Sequence, residues 1–280
     1  MSLKLGIRGH DLPGAPFDSI DDFITSFRSF DLDCLQLVYK KAFRNFEMDP
    51  HFLLELSEKL KENQIEVAMV GAYFNMIHPE EKKRLDGIEY FKQCMETAGV
   101  FDCRLVGSET GSANGDKWTY SEYNHTKQAF QRVVETVKGL KYYGQSFKAV
   151  PIIEGAYAHT VYSPDLLDEL IDETGIEDVT VDVFNFLNIE NYKEADQIFD
   201  RCLDLFKDKI RIFHVKDFNV GEGKLIQCGI SQGIMNWPYF IKRIKEEVPD
   251  AVLVFEGVTG EDIEPSIRYI RRLADGSENQ

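Results

Sequence analysis

Ile210-Arg211-Ile212-Phe213-His214-Val215-Lys216-Asp217-Phe218 decides the fold. The run is β-branched and aromatic, holds no Gly or Pro, and predicts a strand. Side chains alternate along a strand, so Ile210, Ile212, His214 and Lys216 share one face. That face turns from apolar to polar toward its C-terminal end, where ligands bind in parallel α/β sheets and barrels. A lone histidine there is ordinarily a core residue, but three other strand-like runs end in the same way. They are Val150-Pro151-Ile152-Ile153-Glu154, Val179-Thr180-Val181-Asp182 and Val252-Leu253-Val254-Phe255-Glu256. Parity puts Glu154 above Ile152, Asp182 above Thr180 and Glu256 above Val254. A carboxylate on an apolar face is costly unless paired or bound to a metal. Four strands ending in Glu, Asp, His and Glu point to a divalent-metal site with carboxylate and imidazole ligands.

The rest of the chain repeats the unit. Strands are expected at Leu3–Gly9, Cys34–Tyr39, Val67–Tyr73 and Cys103–Gly107, ahead of the four runs above. Helices follow each. Ser19 with Asp22, Asp49-Pro50 and Ser163-Pro164 read as helix starts, and Trp237 reads as packing at another. The segment from Asn219 to Met235, with Gly221, Gly223, Gly229 and Gly233, reads as a long loop. Eight βα units in 280 residues imply a single-domain α/β protein, a closed (β/α)8 barrel spanning 1–274 with a polar tail at 275–280. No GxGxxG follows the first strand, so dinucleotide binding has little support.

Composition narrows the function. A net charge of −16 counts against a nucleic-acid partner, whose phosphates call for a basic patch. No apolar run approaches the roughly 20 residues of a membrane span, and the chain enters a strand at once, so no membrane partner and no signal peptide are expected. Five scattered cysteines without a CxxC pair suggest reduced thiols and a cytoplasmic location.

At these strand ends the chain resembles the xylose-isomerase-like TIM barrels. These include sugar isomerases, tagatose-type 3-epimerases, inosose dehydratases, hydroxypyruvate isomerases and the endonuclease IV branch. His214-Val-Lys216-Asp217 is similar to the family's HxKD segment. Gly229-Ile-Ser-Gln-Gly233 through Trp237 is similar to its Gly-x-Gly…Asp-Trp segment, with longer spacing. The resemblance implies one divalent ion (Mn, Mg, Co or Zn) held by Glu154, Asp182, His214 and Glu256. It also implies a small carbohydrate substrate and a homo-dimer or tetramer. Two positions depart from the family: Gln36 stands where many members have Glu, and Asn185 where many have His after Asp-x-x.

The expected chemistry is isomerisation or epimerisation of a sugar or sugar derivative. Glu154 and Glu256 are the catalytic pair, moving a proton through an enediolate, each presenting one oxygen to the substrate. Lys216, Asn185, Arg8, Gln36, Glu109 and His159 are candidate substrate contacts, with His159 otherwise an ordinary surface residue. Asp217 points outward and reads as support for the ligands or as packing against a helix start. The sequence leaves three alternatives: a dehydratase or lyase acting on a polyol ketone, an apurinic-site nuclease, and a sugar-binding barrel without catalysis.

Overall fold

The computed structural model describes residues 3–276, so the end of the expected tail, 277–280, lies outside the described residues. Eight parallel strands close a barrel: β1 (Lys4–Arg8), β2 (Cys34–Leu37), β3 (Glu66–Gly71), β4 (Leu105–Glu109), β5 (Val150–Glu154), β6 (Val179–Val181), β7 (Ile210–Val215) and β10 (Val252–Phe255). β1 pairs with both β2 and β10, which closes the ring. The helices outside it are α1 (Ile20–Arg28), the short α2 (Tyr39–Ala42), α3 (Pro50–Glu62), α4 (Glu81–Ala98), α5 (Lys127–Gly144), α6 (Pro164–Thr174), α7 (Ala195–Phe206), α8 (Trp237–Glu247) and α9 (Ile263–Ala274). No helix among the described residues is long and apolar enough to cross a membrane.

Local chemistry sets the helix starts as the sequence predicts. The Ser19 hydroxyl accepts from Asp22 N, the Asp49 carboxylate from His51 N and Phe52 N, and the Ser163 hydroxyl from Leu166 N. Helix α5 departs from the expected start near Ser121. A 3-10 turn covers Glu122–His125, and α5 begins only after Thr126 caps it.

The large apolar core lies between the strands and the helices. A second, smaller cluster fills the barrel itself: Met69, Ile152, Ile212 and Val254. It is the floor of the site, because Glu154, His214 and Glu256 stand two residues further along three of the same strands. Gly107 lets Met69 reach this layer: a Cβ there would lie 2.2 Å from the Met69 sulfur.

The segment after β7 corrects the sequence reading. The strand ends at Val215, not Phe218, and the expected loop from Asn219 contains an antiparallel hairpin. Its arms are β8 (Asp217–Gly221) and β9 (Lys224–Cys228). Glu222 and Gly223 turn it, both at positive φ (51° and 71°), as a two-residue type I′ loop demands.

Candidate metal centre

Glu154, Asp182, His214 and Glu256 meet above the barrel floor. One potential ligand atom from each lies within 4.8 Å of the others. His214 Nδ1 is 2.6 Å from Glu256 Oε2 and 3.1 Å from Glu154 Oε1. Yet His214 Nδ1, Glu256 Oε2 and Asp182 Oδ2 are buried and make no hydrogen bond of proper angle. Carboxylate oxygens and a ring nitrogen crowded this closely suit a positive charge among them, a proton on His214 in the metal-free state or a metal ion in its place. The donor set, three carboxylates and one imidazole, fits a divalent ion of the hard or borderline kind.

The other imidazole nitrogen fixes the tautomer. His214 Nε2 lies 2.8 Å from the Gln36 carbonyl oxygen, which only accepts, so Nε2 carries the proton. Gln36 Nε2 donates to Tyr73 Oη at 2.7 Å. Both ends of Gln36 are thereby used and its side chain is fully buried. It is not a pocket contact, as the sequence suggested; it backs the histidine. Tyr73, one of the site's residues that sequence reasoning missed, shares the inward parity of Gly71 and Met69.

Two cations stand in the cluster. Lys216 Nζ is 2.8 Å from Asp182 Oδ2, 3.0 Å from Glu256 Oε1 and donates to Asn185 Oδ1 at 3.0 Å. Arg8 Nη1 donates to the same Glu256 Oε1 at 2.7 Å, and its other nitrogens clamp Asp11. Asp11 in turn accepts from Gly257 N at 2.7 Å. Its position on the loop after β1 gave no sequence signal. Asn185 Nδ2 donates to Glu154 Oε1 at 2.7 Å, so Asn185 bridges Glu154 and Lys216.

These contacts make the two glutamates unequal. Burial raises the Glu154 carboxyl, and His214 offsets this only in part. Burial also disfavours the charge of Glu256, but Lys216, His214 and Arg8 outweigh it and hold that carboxyl well below its usual range. Burial pushes Asp182 up to about 6 against the pull of Lys216. Burial opposes the charge of His214, yet Glu154 and Glu256 together raise it to about 10.

The remaining expected contacts separate. Glu109 pairs in register with Glu154 and so faces the same interior. Burial pushes its carboxyl up to about 7. His159 is buried, 5% exposed, and not the surface residue expected. It lies 3.5 Å from Glu109 and edge-on to Trp118. Asp217 does point outward, but it makes no hydrogen bond to the four cluster residues. Its carboxylate accepts the backbone N–H groups of Phe218, Ser231 and Met235, pinning the segment after β9. The Trp237 indole donates to Lys216 O at the start of α8, as a packing role predicts.

The family model described as "Xylose isomerase-like TIM barrel" matches residues 26–273. The chain belongs to that family. No curated protein matches it by sequence. Among solved structures it is similar to a D-tagatose 3-epimerase-like protein, at 15% identity and a TM-score of 0.76, over 98% of this chain and 97% of that one. It is also similar to a xylose isomerase-like TIM barrel protein from Mycobacterium smegmatis in complex with magnesium, at 10% identity and a TM-score of 0.74, over 98% and 97%. A third is 3-keto-D-glucoside 4-epimerase from E. coli, at 13% identity and a TM-score of 0.71, over 98% of each chain. At these identities the likeness is one of fold.

Proposed function

We propose that the protein is a divalent-metal-dependent isomerase or epimerase of a sugar or sugar derivative. The observation that carries this is the convergence of four residues whose potential ligand atoms lie within 4.8 Å of one another, three of the residues having a buried polar atom without a hydrogen bond. Glu154, Asp182, His214 and Glu256 would hold the ion. When bound, it would supply Lewis-acid polarisation of a substrate carbonyl and its adjacent hydroxyl. Similarity in fold to an epimerase, to an epimerase-like protein and to a barrel in complex with magnesium supports the reading.

Glu154 is the base in this proposal. Its contacts with Asn185 and His214 both fall on Oε1, which leaves Oε2 for the C–H beside the carbonyl. A raised carboxyl is also the better proton acceptor at neutral pH. Glu256 differs from the equal partner that parity suggests, because Arg8 and Lys216 both occupy its second oxygen. Return of the proton by Glu154 to the neighbouring carbon, which is isomerisation, is favoured over delivery by Glu256 to the opposite face. A second reading begins with the same abstraction. Glu109, whose carboxyl burial pushes up to about 7, would then protonate a departing hydroxyl, which would make the enzyme a dehydratase.

The test is turnover of free ketopentoses and ketohexoses by Mn2+-loaded protein in deuterated water. Deuterium should enter the reacting carbon of the product. Glu154→Gln should lower the rate at least about a hundredfold, the usual worth of a positioned base, while Mn2+ binding falls less. Glu256→Gln should cost less rate than Glu154→Gln. Products that keep the substrate's own hydrogen, free of solvent label, would count against the proton-transfer route.

A further inference from the structure

The inference rests on the carbohydrate reading above and concerns two residues beside the same cluster. Glu109 ends β4, and His159 lies in the loop after β5. His159 Nδ1 is 3.5 Å from Glu109 Oε1, too far for a good bond, and Nδ1 is buried with no hydrogen-bond partner. A buried ring nitrogen without a hydrogen-bond partner usually awaits a water or a ligand. A second buried network holds the loops around it. Asn124 Nδ2 donates to Ala158 O at 2.7 Å, and Asn75 Nδ2 donates to Ser112 O at 2.6 Å and Gly115 O at 2.9 Å.

We propose that Glu109 and His159 form a hydroxyl-binding subsite that selects neutral polyhydroxy ketones over their phosphorylated counterparts. A hydroxyl seated between them hydrogen-bonds to His159 Nδ1 and to the Glu109 carboxyl, and because it both donates and accepts it suits either tautomer of the ring. Neither group offers an anion a positive charge. Burial holds His159 down at about 4, so the ring is neutral at pH 7. The cations of the cluster offer no alternative, since Arg8 is paired with Asp11 and Glu256, and Lys216 with Asp182 and Glu256. A phosphate would turn to Lys41, exposed at the rim and 5.7 Å from the Tyr73 ring centroid.

The experiment titrates Mn2+-loaded protein with D-fructose, D-tagatose and D-psicose, each against its 6-phosphate. At least one free ketose should bind about tenfold more tightly than its phosphate. His159→Phe and Glu109→Leu should each weaken that ketose about tenfold, the worth of one buried hydrogen bond. Glu109→Gln, which keeps size and polarity, provides a check against misfolding, and all three variants should keep wild-type Mn2+ affinity. Tighter binding of a phosphate, lost in Lys41→Ala, would overturn the subsite. So would variants that bind the free ketose as well as wild type. Failure of all six sugars to bind the loaded wild type would overturn the carbohydrate reading and this inference with it. Ketose binding and deuterium exchange that survive in both His159→Phe and Glu109→Leu would overturn the subsite alone.

Discussion

Replacing Gln36 with Leu removes the group behind the candidate ligand His214 while touching none of the four convergent residues. The leucine has nearly the same volume, so the loss is chemical. His214 Nε2–H gives up an acceptor at 2.8 Å and Tyr73 Oη a donor at 2.7 Å. Both sit where the side chain has no exposure to water. Each buried group left unpaired costs about 1–3 kcal/mol, so the metal-free protein should lose roughly 2–6 kcal/mol in urea unfolding. The loss of a hydrogen bond behind a metal-binding imidazole costs about 10–100-fold in affinity, or about 1.4–2.7 kcal/mol. Calorimetric titration with Mn2+ at pH 7 reads the second number. Gln36→Glu gives the opposite sign. A carboxylate accepts from Nε2–H and raises the basicity of Nδ1, so Mn2+ affinity should equal or exceed that of wild type. Mn2+ binding by Gln36→Leu within threefold of wild type, with an unchanged urea midpoint, would show that Gln36 does not support His214.

Glu109→Gln should change how stability depends on pH. The folded carboxyl sits at about 7, raised by burial from 4.5, so its contribution is fully present below pH 4.5 and lost as pH rises through 7. Metal-free Glu109→Gln should therefore match wild type near pH 4.5 and exceed it by about 3 kcal/mol at pH 8, by urea unfolding at both values. At the other end of the barrel, Asp178 is fully buried between Arg104 (2.8 Å) and Arg211 (2.6 Å), whose side chains are about half exposed. Removing both arginines strands a buried charge, and Arg104→Met with Arg211→Met should cost about 3–5 kcal/mol. Asp178→Asn should cost less, because the arginines can turn to water, and neither change should move Mn2+ affinity.

The barrel was legible because each strand–helix unit carries its own local signals. The run Val252–Phe255 and the cap at Ser163-Pro164 need no knowledge of the rest of the chain. Glu154, Asp182, His214 and Glu256 could be singled out for the same reason: each stands at, or one residue from, the C-terminal end of its own strand, and parity fixes its face. Partners across the ring were not legible. Gln36 reaches His214 over 178 residues and Arg8 reaches Glu256 over 248. Those distances close only when β1 pairs with β10, so a reading by local pattern sees Gln36 and Arg8 as loose strand ends. His159 was misjudged because loops are usually exposed, whereas this one is roofed by the turn at Trp118. The hairpin was missed for a weaker reason. Glu222-Gly223 lacks the Asn or Asp that usually announces a type I′ turn, although Phe218–Val220 and Lys224–Gln227 carry strand-like residues on either side.

The cluster's charges explain how four such side chains can sit together without a metal ion. Three carboxylates in so small a space repel one another, and burial raises the cost of each. Against Glu154, Asp182 and Glu256 stand Lys216, Arg8 and a histidine that holds its proton to about pH 10. Three negative charges thus face three positive ones within one hydrogen-bonded group. Arg8 is further neutralised by Asp11, whose carboxylate is tied to the backbone at Gly257, so the balance is anchored to the barrel on both sides of β1. A metal ion entering between the four residues would compete with the His214 proton and with Lys216 for Asp182 and Glu256. Lys216 and Arg8 therefore act in opposite senses: they let the carboxylates stay ionised and close together, and they would weaken the hold of those carboxylates on an ion. Lys216 and Arg8 reach Glu256 and not Glu154, so in the proposed mechanism the carboxyl free to take a proton is the one on β5.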